Sequence, residues 1–162
     1  MKKLIFASFV ILLTAVSNAH EGDVVRLGDK APPIKETPLA KDNLPGKVVL
    51  LSFFSLQSVP SMRELDFIER DICIPNRTAA LATIAIGRDH EGPQLADLNT
   101  AKYLGIHFIA DPKRKIYNLY ATEDIPRCYV IGKDGLIKYS SVGFDEWEID
   151  RIKAAVDLAL QK

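Results

Sequence analysis

The chain has 162 residues, in which 21 Lys and Arg side chains balance 21 Asp and Glu side chains. This length and a charged fraction of 26% are typical of one soluble globular domain. The balance of signs excludes the basic surface by which nucleic-acid-binding proteins contact phosphates.

The first residues have the pattern of a secretory signal peptide. Lys2 and Lys3 precede an apolar stretch, residues 4–16, that is too short to span a bilayer comfortably. Small residues at 17–19 fit cleavage after Ala19. We therefore expect residues 1–19 to be a signal peptide and residues 20–162 to be an exported, periplasmic domain without a membrane anchor. An uncleaved anchor fits less well, because polar residues follow directly and no cysteine is present there for lipidation.

An extended segment then leads into the most apolar part of the chain. Residues 24–39 contain three prolines, which predicts an edge hairpin or extended arm. Residues 48–54 are an apolar run typical of a strand buried on both faces. Apolar residues at 62, 65, 67 or 68, and 72 continue at helical spacing. The sequence thus predicts a strand that passes directly into an amphipathic helix, a junction at which α/β folds often carry their chemistry.

The later elements predict a mixed sheet. The predicted elements are a buried strand at 79–87, a helix over 92–103 with Leu95, Leu98 and Leu104 on its apolar face, an extended piece at 106–110, a helix with Ile116, Leu119 and Tyr120 at i, i+3 and i+4, strands at 127–131 and 136–142, and a last helix capped by Asp145 that buries Trp147, Ile149, Ile152, Val156 and Leu160. The short Asp-Gly loop makes the last two strands an antiparallel hairpin. This order predicts a central sheet with helices on both faces.

Four short motifs follow one another along this order. They are Gly28-Asp29-Lys30-Ala31-Pro32, Gly46-Lys47 before the first strand, Ile125-Pro126 before the penultimate strand, and Lys133-Asp134-Gly135 in the hairpin. Together they resemble the thioredoxin fold, and more narrowly its exported TlpA/ResA-like and AhpC/TSA-like branch. The resemblance covers almost the whole chain after residue 19. It implies an α/β thioredoxin fold, with a mixed sheet flanked by helices on both faces and an N-terminal arm.

The active motif of that family reads Trp-Cys-x-Pro-Cys-x-x-Glu, where this chain reads Gln-Ser-Val-Pro-Ser-Met-Arg-Glu over residues 57–64. Pro60 and Glu64 match the family, whereas Ser58 and Ser61 replace both cysteines and Gln57 replaces the tryptophan. A hydroxyl ionises far less readily than a thiol and cannot form a disulfide. As written, this site therefore cannot exchange disulfides.

The resemblance also implies roles for the surrounding residues. Pro126 would be a cis-proline facing the motif, and the backbone of Ile125 would pair with an extended client. Gln57 and Pro60 would contribute to the same substrate-binding surface. Glu64 would be a proton acceptor near the second cysteine position.

The residues alone allow simpler roles. Ser58 and Ser61 are good helix N-caps, and Ser61-x-x-Glu64 is a capping-box pattern. Glu64 would then cap the helix or pair with Arg63 or a lysine at the surface. Pro126 would be an ordinary trans proline at the start of an edge strand.

No metal or cofactor site is predicted. His20 lies at the predicted mature terminus, His107 is most simply a packed strand residue, and Asp89-His90-Glu91 is a loop cluster more typical of a solvated surface than of a metal site. No Gly-x-Ser-x-Gly elbow or telling His/Asp pair accompanies the serines, which disfavours a hydrolase.

The two cysteines, Cys73 and Cys128, are predicted not to form a disulfide. Cys73 lies near the end of the first helix, about 20 Å from its start at 1.5 Å per residue, while Cys128 lies close to Pro126. The separation exceeds the roughly 7 Å Cα limit for a bridge. Both are expected to be buried apolar residues, with Cys128 the better candidate for thiol chemistry.

Three functions remain open from the sequence. The first is a member of the thiol-disulfide oxidoreductase family whose redox pair has been replaced, by nature or by mutation. The second is a non-catalytic module that binds an extended or unfolded polypeptide client at the Pro126 edge. The third is a peroxidase that uses Cys128 or Cys73 alone, although the Pro-x-x-x-Thr-x-x-Cys loop of peroxiredoxins is absent.

Overall fold

The computed structural model describes residues 20–34, 44–98 and 102–162. The predicted signal peptide lies outside these residues, and the predicted arm is described as far as residue 34. Within the described ranges, no helix combines the length and the apolar character needed to cross a bilayer.

Five strands form one sheet. The strands are β1 (Val48–Phe54), β2 (Leu81–Arg88), β3 (Ile106–Asp111), β4 (Arg127–Ile131) and β5 (Ile137–Val142). Their spatial order is β3-β2-β1-β4-β5, in which β1, β2 and β3 run parallel while β4 is antiparallel to both of its neighbours. The predicted hairpin and mixed sheet are confirmed.

The helices lie on both faces of this sheet, as predicted. They are α1 (Val59–Phe67), which continues as a π-helical segment (Ile68–Cys73), α2 (Gly92–Leu95), α3 (Tyr117–Tyr120) and α4 (Glu146–Gln161). Apolar residues of α1, its π-helical continuation and α4 pack against one face. Residues of α3, together with Val25 and Ile34 from the N-terminal segment, pack against the other. Every residue of β1 is buried because the strand is central and covered on both sides.

The N-terminal segment follows the outer edge of β5. The N–H of Gly28 donates to the carbonyl of Ile137 at 2.9 Å, and the N–H of Ile137 donates to the carbonyl of Asp29 at 2.9 Å. Lys30 and Leu136 form a further antiparallel bridge. The extended arm that the prolines predicted therefore covers part of an edge that would otherwise present unpaired backbone groups.

The helix predicted over 92–103 is confirmed as an α-helix at its start, while residues 99–101 lie outside the described residues. α2 starts at a capping box between Glu91 and Gln94, and it already ends at Leu95. Further along, the carboxylate of Glu69 accepts the N–H groups of Leu104 and Gly105 at 3.0–3.2 Å. Leu104, predicted to be buried, is 75% exposed. The hydrogen bonds to Glu69, rather than a continuing helix, determine the position of the backbone there.

The buried stripe of α4 is displaced from the predicted one. Asp145 is the N-cap, as predicted, and its side chain accepts the N–H of Glu148 at 2.7 Å. The buried residues are Ile149, Ile152, Val156 and Ala159. Trp147, predicted to belong to this stripe, is 75% exposed, because at about 100° per residue it lies on the opposite side of the helix from Ile149.

Candidate functional site

The candidate site lies between the end of β1 and the start of α1. Ser58 is the N-cap of α1, has an extended backbone conformation, and its Oγ accepts the N–H of Ser61 at 3.2 Å. Pro60 lies in the first turn, where its missing N–H costs no helical hydrogen bond. The N-cap prediction for Ser58 is confirmed. The predicted Ser61–Glu64 capping box is wrong, because Ser61 lies inside the first turn and Glu64 faces the sheet.

The strand register brings Pro126 to the same end of the sheet. β1 pairs with β4 so that Phe53 lies opposite Arg127, and one further step along this register places Pro126 beside Phe54, the last residue of β1. The Ile125–Pro126 peptide is cis, so the trans alternative is wrong. The carbonyl of Pro126 accepts the N–H of Gly143 at 2.9 Å.

The residues at this end differ in their access to solvent. Gln57, Val59 and Pro60 are exposed, Val59 by 71%, while Ser58 is half-buried. Ser61 is fully buried. Ile125 is half-buried and Pro126 is buried. Of the two serines, Ser58 is therefore the one that a solvent-borne molecule reaches more easily.

Glu64 lies beneath the two serines in a fully buried position. Its Oε1 accepts the hydroxyl of Ser52 at 2.8 Å and the thiol of Cys128 at 3.2 Å. The predictions of a capping role or a surface ion pair for Glu64 are therefore wrong. Burial raises the pKa of Glu64 from 4.5 to about 7, although the hydrogen bonds from Ser52 and Cys128 oppose that rise.

The raised pKa of Glu64 makes stability depend on pH. Between about pH 4.5 and 7 the folded protein binds more protons than the unfolded chain, so the free energy of unfolding is highest below this range and falls as the pH rises through it. At about 1.4 kcal/mol per pKa unit, the loss is up to about 3 kcal/mol. Glu64→Gln, which keeps an acceptor oxygen for both donors, is expected to flatten this fall.

Urea denaturation at a series of pH values between 4.5 and 8 measures this effect. The matched control is Glu146→Gln, since the Glu146 side chain is 66% exposed in a surface pair with Arg63, and it should leave the profile as it is in the natural chain. An equally steep fall in the Glu64→Gln variant would contradict the assignment to Glu64.

Both cysteines are free and buried, as predicted. Burial, followed by the neighbouring Glu64 carboxylate, raises the pKa of the Cys128 thiol well above its usual value. Burial also raises the pKa of Cys73 to about 11, and its thiol donates to the Thr83 hydroxyl at 3.4 Å. Since the thiolate is the reactive form, these surroundings disfavour the one-cysteine peroxidase.

His90 was predicted to be a solvated loop residue, and this is wrong. The side chain is 2% exposed and stacks on Phe54, with ring centroids 6.2 Å apart. Its Nε2 accepts the N–H of Leu56 at 3.0 Å and lies 3.2 Å from the hydroxyl of Ser55. Because Nε2 accepts from a backbone N–H, the ring proton is on Nδ1. His90 thus holds the loop that precedes Ser58.

Arg127, the residue after Pro126, was not singled out by the sequence. It is fully buried, and its Nη1 forms an ion pair with Asp23 Oδ1 at 2.6 Å. Its Nε donates to the carbonyl of Glu123 at 2.6 Å, and its Nη2 donates to the carbonyl of Glu21. No sequence pattern predicts the Asp23–Arg127 ion pair, because the two residues are about 100 positions apart along the chain.

Possible metal ligands do not gather at this site. Across residues 20–34, 44–98 and 102–162, no group of three or more His, Cys, Asp or Glu side chains is arranged to hold a metal ion. The polar groups at the site include hydroxyls, the Gln57 amide, the His90 imidazole, the buried Glu64 carboxyl and the protonated Cys128 thiol.

Neither a protein-family model nor a curated protein sequence matches the chain. Solved structures do match. A protein from Bacteroides thetaiotaomicron assigned as a protein disulfide isomerase superposes with a TM-score of 0.77 and 26% identity, over 87% of this chain and 94% of that one. The chain has the thioredoxin fold.

Other proteins with the thioredoxin fold are similar over most of their length. One from Chlorobium tepidum, assigned as the thiol:disulfide interchange protein DsbE, has a TM-score of 0.69 and 21% identity, over 83% of this chain and 97% of that one. A secreted disulfide oxidoreductase from Mycobacterium tuberculosis has a TM-score of 0.57 and 15% identity, over 71% and 84%. These three structural neighbours are each described as proteins that act on disulfides.

Proposed function

We propose that this is an exported thioredoxin-like protein that binds extended polypeptide clients without exchanging disulfides. The observation that carries the proposal is the pair of hydroxyls at the start of α1, from Ser58 at the N-cap and Ser61 in the first turn, where the family that the sequence resembles has its two thiols. The finer assignment, to the TlpA/ResA-like branch, rests on the sequence motifs.

The loss of redox chemistry follows from the donor atoms. A thiolate at this position would be stabilised by the N–H groups and dipole at the start of α1. An alkoxide is not accessible there at neutral pH, and oxygen cannot form the mixed disulfide on which exchange depends. The two cysteines that the chain does contain are buried away from solvent.

A client surface is supported by what surrounds the serines. Val59 and Pro60 present apolar groups to solvent, with Gln57 beside them. Ile125 and Pro126 lie at the same end of the sheet, just before β4. An extended chain that paired with the backbone at Ile125 would gain main-chain hydrogen bonds, and apolar contacts to Val59 would add affinity.

Export is supported by two independent features. The first 19 residues have the charge and apolar pattern of a signal peptide. Among the structural neighbours, the Mycobacterium tuberculosis oxidoreductase is described as secreted.

Binding of an unfolded, thiol-free client under full reduction tests the proposed function. We expect residues 20–162 to bind a fluorescently labelled, reduced and alkylated polypeptide, with an affinity that excess dithiothreitol does not change. Val59→Asp should weaken binding on the order of tenfold, because it replaces apolar contact by a charge that must be desolvated. Fluorescence anisotropy measures the dissociation constants.

The matched control is Leu158→Asp. Leu158 is 55% exposed and lies twelve residues beyond the start of α4, about 18 Å along the helix from the end that contacts α1. This variant should bind as the natural chain does. No detectable binding, or equal weakening by both substitutions, would overturn the proposed client surface.

A further inference from the structure

Residues 20–23 fold into a tight turn over the start of β4. The backbone N–H of His20 donates to Asp23 Oδ2 at 2.7 Å, and the N–H of Asp23 donates to the carbonyl of His20 at 3.1 Å. The imidazole Nε2 of His20 lies 3.1 Å from the carbonyl of Ser140 in β5. His20, the first residue after the predicted cleavage point, is thus held by its backbone nitrogen and its ring.

The Asp23 carboxylate, which accepts the N–H of His20, is buried. The Asp23 side chain is 2% exposed. Its Oδ1 is paired with Arg127 Nη1 at 2.6 Å and accepts the Tyr129 hydroxyl at 3.2 Å, so that Oδ2 is the oxygen turned toward His20. The two oxygens therefore have separate partners.

The turn is also closely fitted to Arg127. Gly22 has a φ of +77°, and a Cβ at this position would lie 3.0 Å from Arg127 Nη2 and 3.1 Å from Glu123 Cβ. A side chain at residue 22 would therefore be strained and would crowd the guanidinium. Arg127 also donates to the backbone carbonyls of Glu21 and Glu123, so its ion pair with a carboxylate is the one to Asp23.

We propose that Asp23 is the binding site for the amino terminus produced by cleavage after Ala19, and that maturation completes an ion pair between the His20 α-ammonium and Asp23 Oδ2. The inference rests on the export stated under the proposed function. Hydrolysis of the Ala19–His20 amide by a peptidase consumes one water and leaves a carboxylate on residue 19. The amine left on His20 takes up a proton at neutral pH.

The nitrogen needs no movement to make this pair, because it already lies at hydrogen-bond distance from Oδ2. Cleavage replaces a neutral amide donor with a charged one, and charge-assisted hydrogen bonds are about twice as strong. Since Arg127 directly follows Pro126, the completed cluster fixes the strand end that carries the proposed client edge.

Two forms of the protein that differ by one residue test the proposal. Residues 20–162 place the α-ammonium on Asp23, whereas residues 19–162 move it by about 3.8 Å and leave an amide at His20. At pH 6.5 we expect the shorter form to melt about 3 °C higher. The difference should vanish above about pH 9.5, because the amino group is then neutral. The charged and titratable groups around it are Asp23, the Arg127 guanidinium, the Tyr129 hydroxyl and the His20 imidazole.

A difference that persists at pH 10, or the absence of any difference at pH 6.5, would overturn the proposal. In an Asp23→Asn background the two forms should melt together, and this arm confirms the acceptor if the variant folds. If that variant does not fold, the pH comparison decides the question, because it needs no substitution. Mass spectrometry of the protein exported from cells should give a chain that starts at His20. Another start would refute the proposal, while client binding by residues 20–162 would be unaffected.

Discussion

The Ser58→Cys/Ser61→Cys double variant is expected to reduce disulfides, whereas the unsubstituted chain is expected to be inactive. At pH 7 an unperturbed thiol of pKa about 8.5 is only about 3% thiolate, and the start of a helix lowers that pKa far enough to make the thiolate a major species. Dithiothreitol-driven reduction of insulin, followed by turbidity, measures the gain.

The site is suited to accept the sulfur atoms. The Ser61 hydroxyl has no hydrogen-bond partner among the described residues, so its replacement breaks no contact seen there. Glu64 lies one turn further along α1 with a pKa of about 7, which suits it to exchange a proton with a thiol at neutral pH. A double variant that folds but does not reduce insulin would show that positions 58 and 61 are not equivalent to the family's dithiol.

The Arg127→Met variant is expected to lose about 3–5 kcal/mol of its free energy of unfolding. The substitution keeps an apolar stem but leaves the Asp23 carboxylate buried without its cation, and it also removes the donors to the Glu21 and Glu123 carbonyls. This loss is a large fraction of the 5–15 kcal/mol that typically stabilises a domain. Urea denaturation followed by circular dichroism measures it.

Two comparisons separate the buried charge from general damage. Arg63→Met removes a cation of the same kind from a pair whose side chains are 56% and 66% exposed, and it should cost less than about 1 kcal/mol. Adding Asp23→Asn to Arg127→Met should recover part of the loss, because the unpaired charge is gone. Equal losses in the Arg63 and Arg127 variants would contradict the account of the buried pair.

The sequence predicted the fold well because short local patterns identify most strands of the sheet. The apolar runs of β1 and β4 and the Asp-Gly hairpin each identify a strand without knowledge of distant residues. One failure has the opposite character, because Leu104 is placed by the carboxylate of Glu69, 35 positions away along the chain. The other is local, because Trp147 lies two residues, about 200°, from Ile149 and so was assigned to the wrong side of α4.

The sequence singled out residues at the start of α1, but not the contacts that they make. Ser58 was identified as a cap from its residue type, whereas the residues alone predicted a capping or surface role for Glu64, because charged residues are seldom buried. The one local signal was Ser52, a polar residue in the middle of a buried strand, which requires a partner. His90 and Arg127 act through contacts with residues more than 30 positions away, and no sequence period encodes such contacts.

Trapping a client disulfide on single-cysteine variants tests the central claim most directly. Ser58→Cys places a thiol at the more accessible position and leaves Ser61 unable to resolve a mixed disulfide, whereas Ser61→Cys places the thiol in a fully buried position. With an unfolded client that contains one disulfide, mass spectrometry should find a lasting covalent adduct on residue 58 of the first variant and little adduct on the second. Adducts of equal yield on both variants, or on neither, would contradict the placement of these residues at the client-facing start of α1.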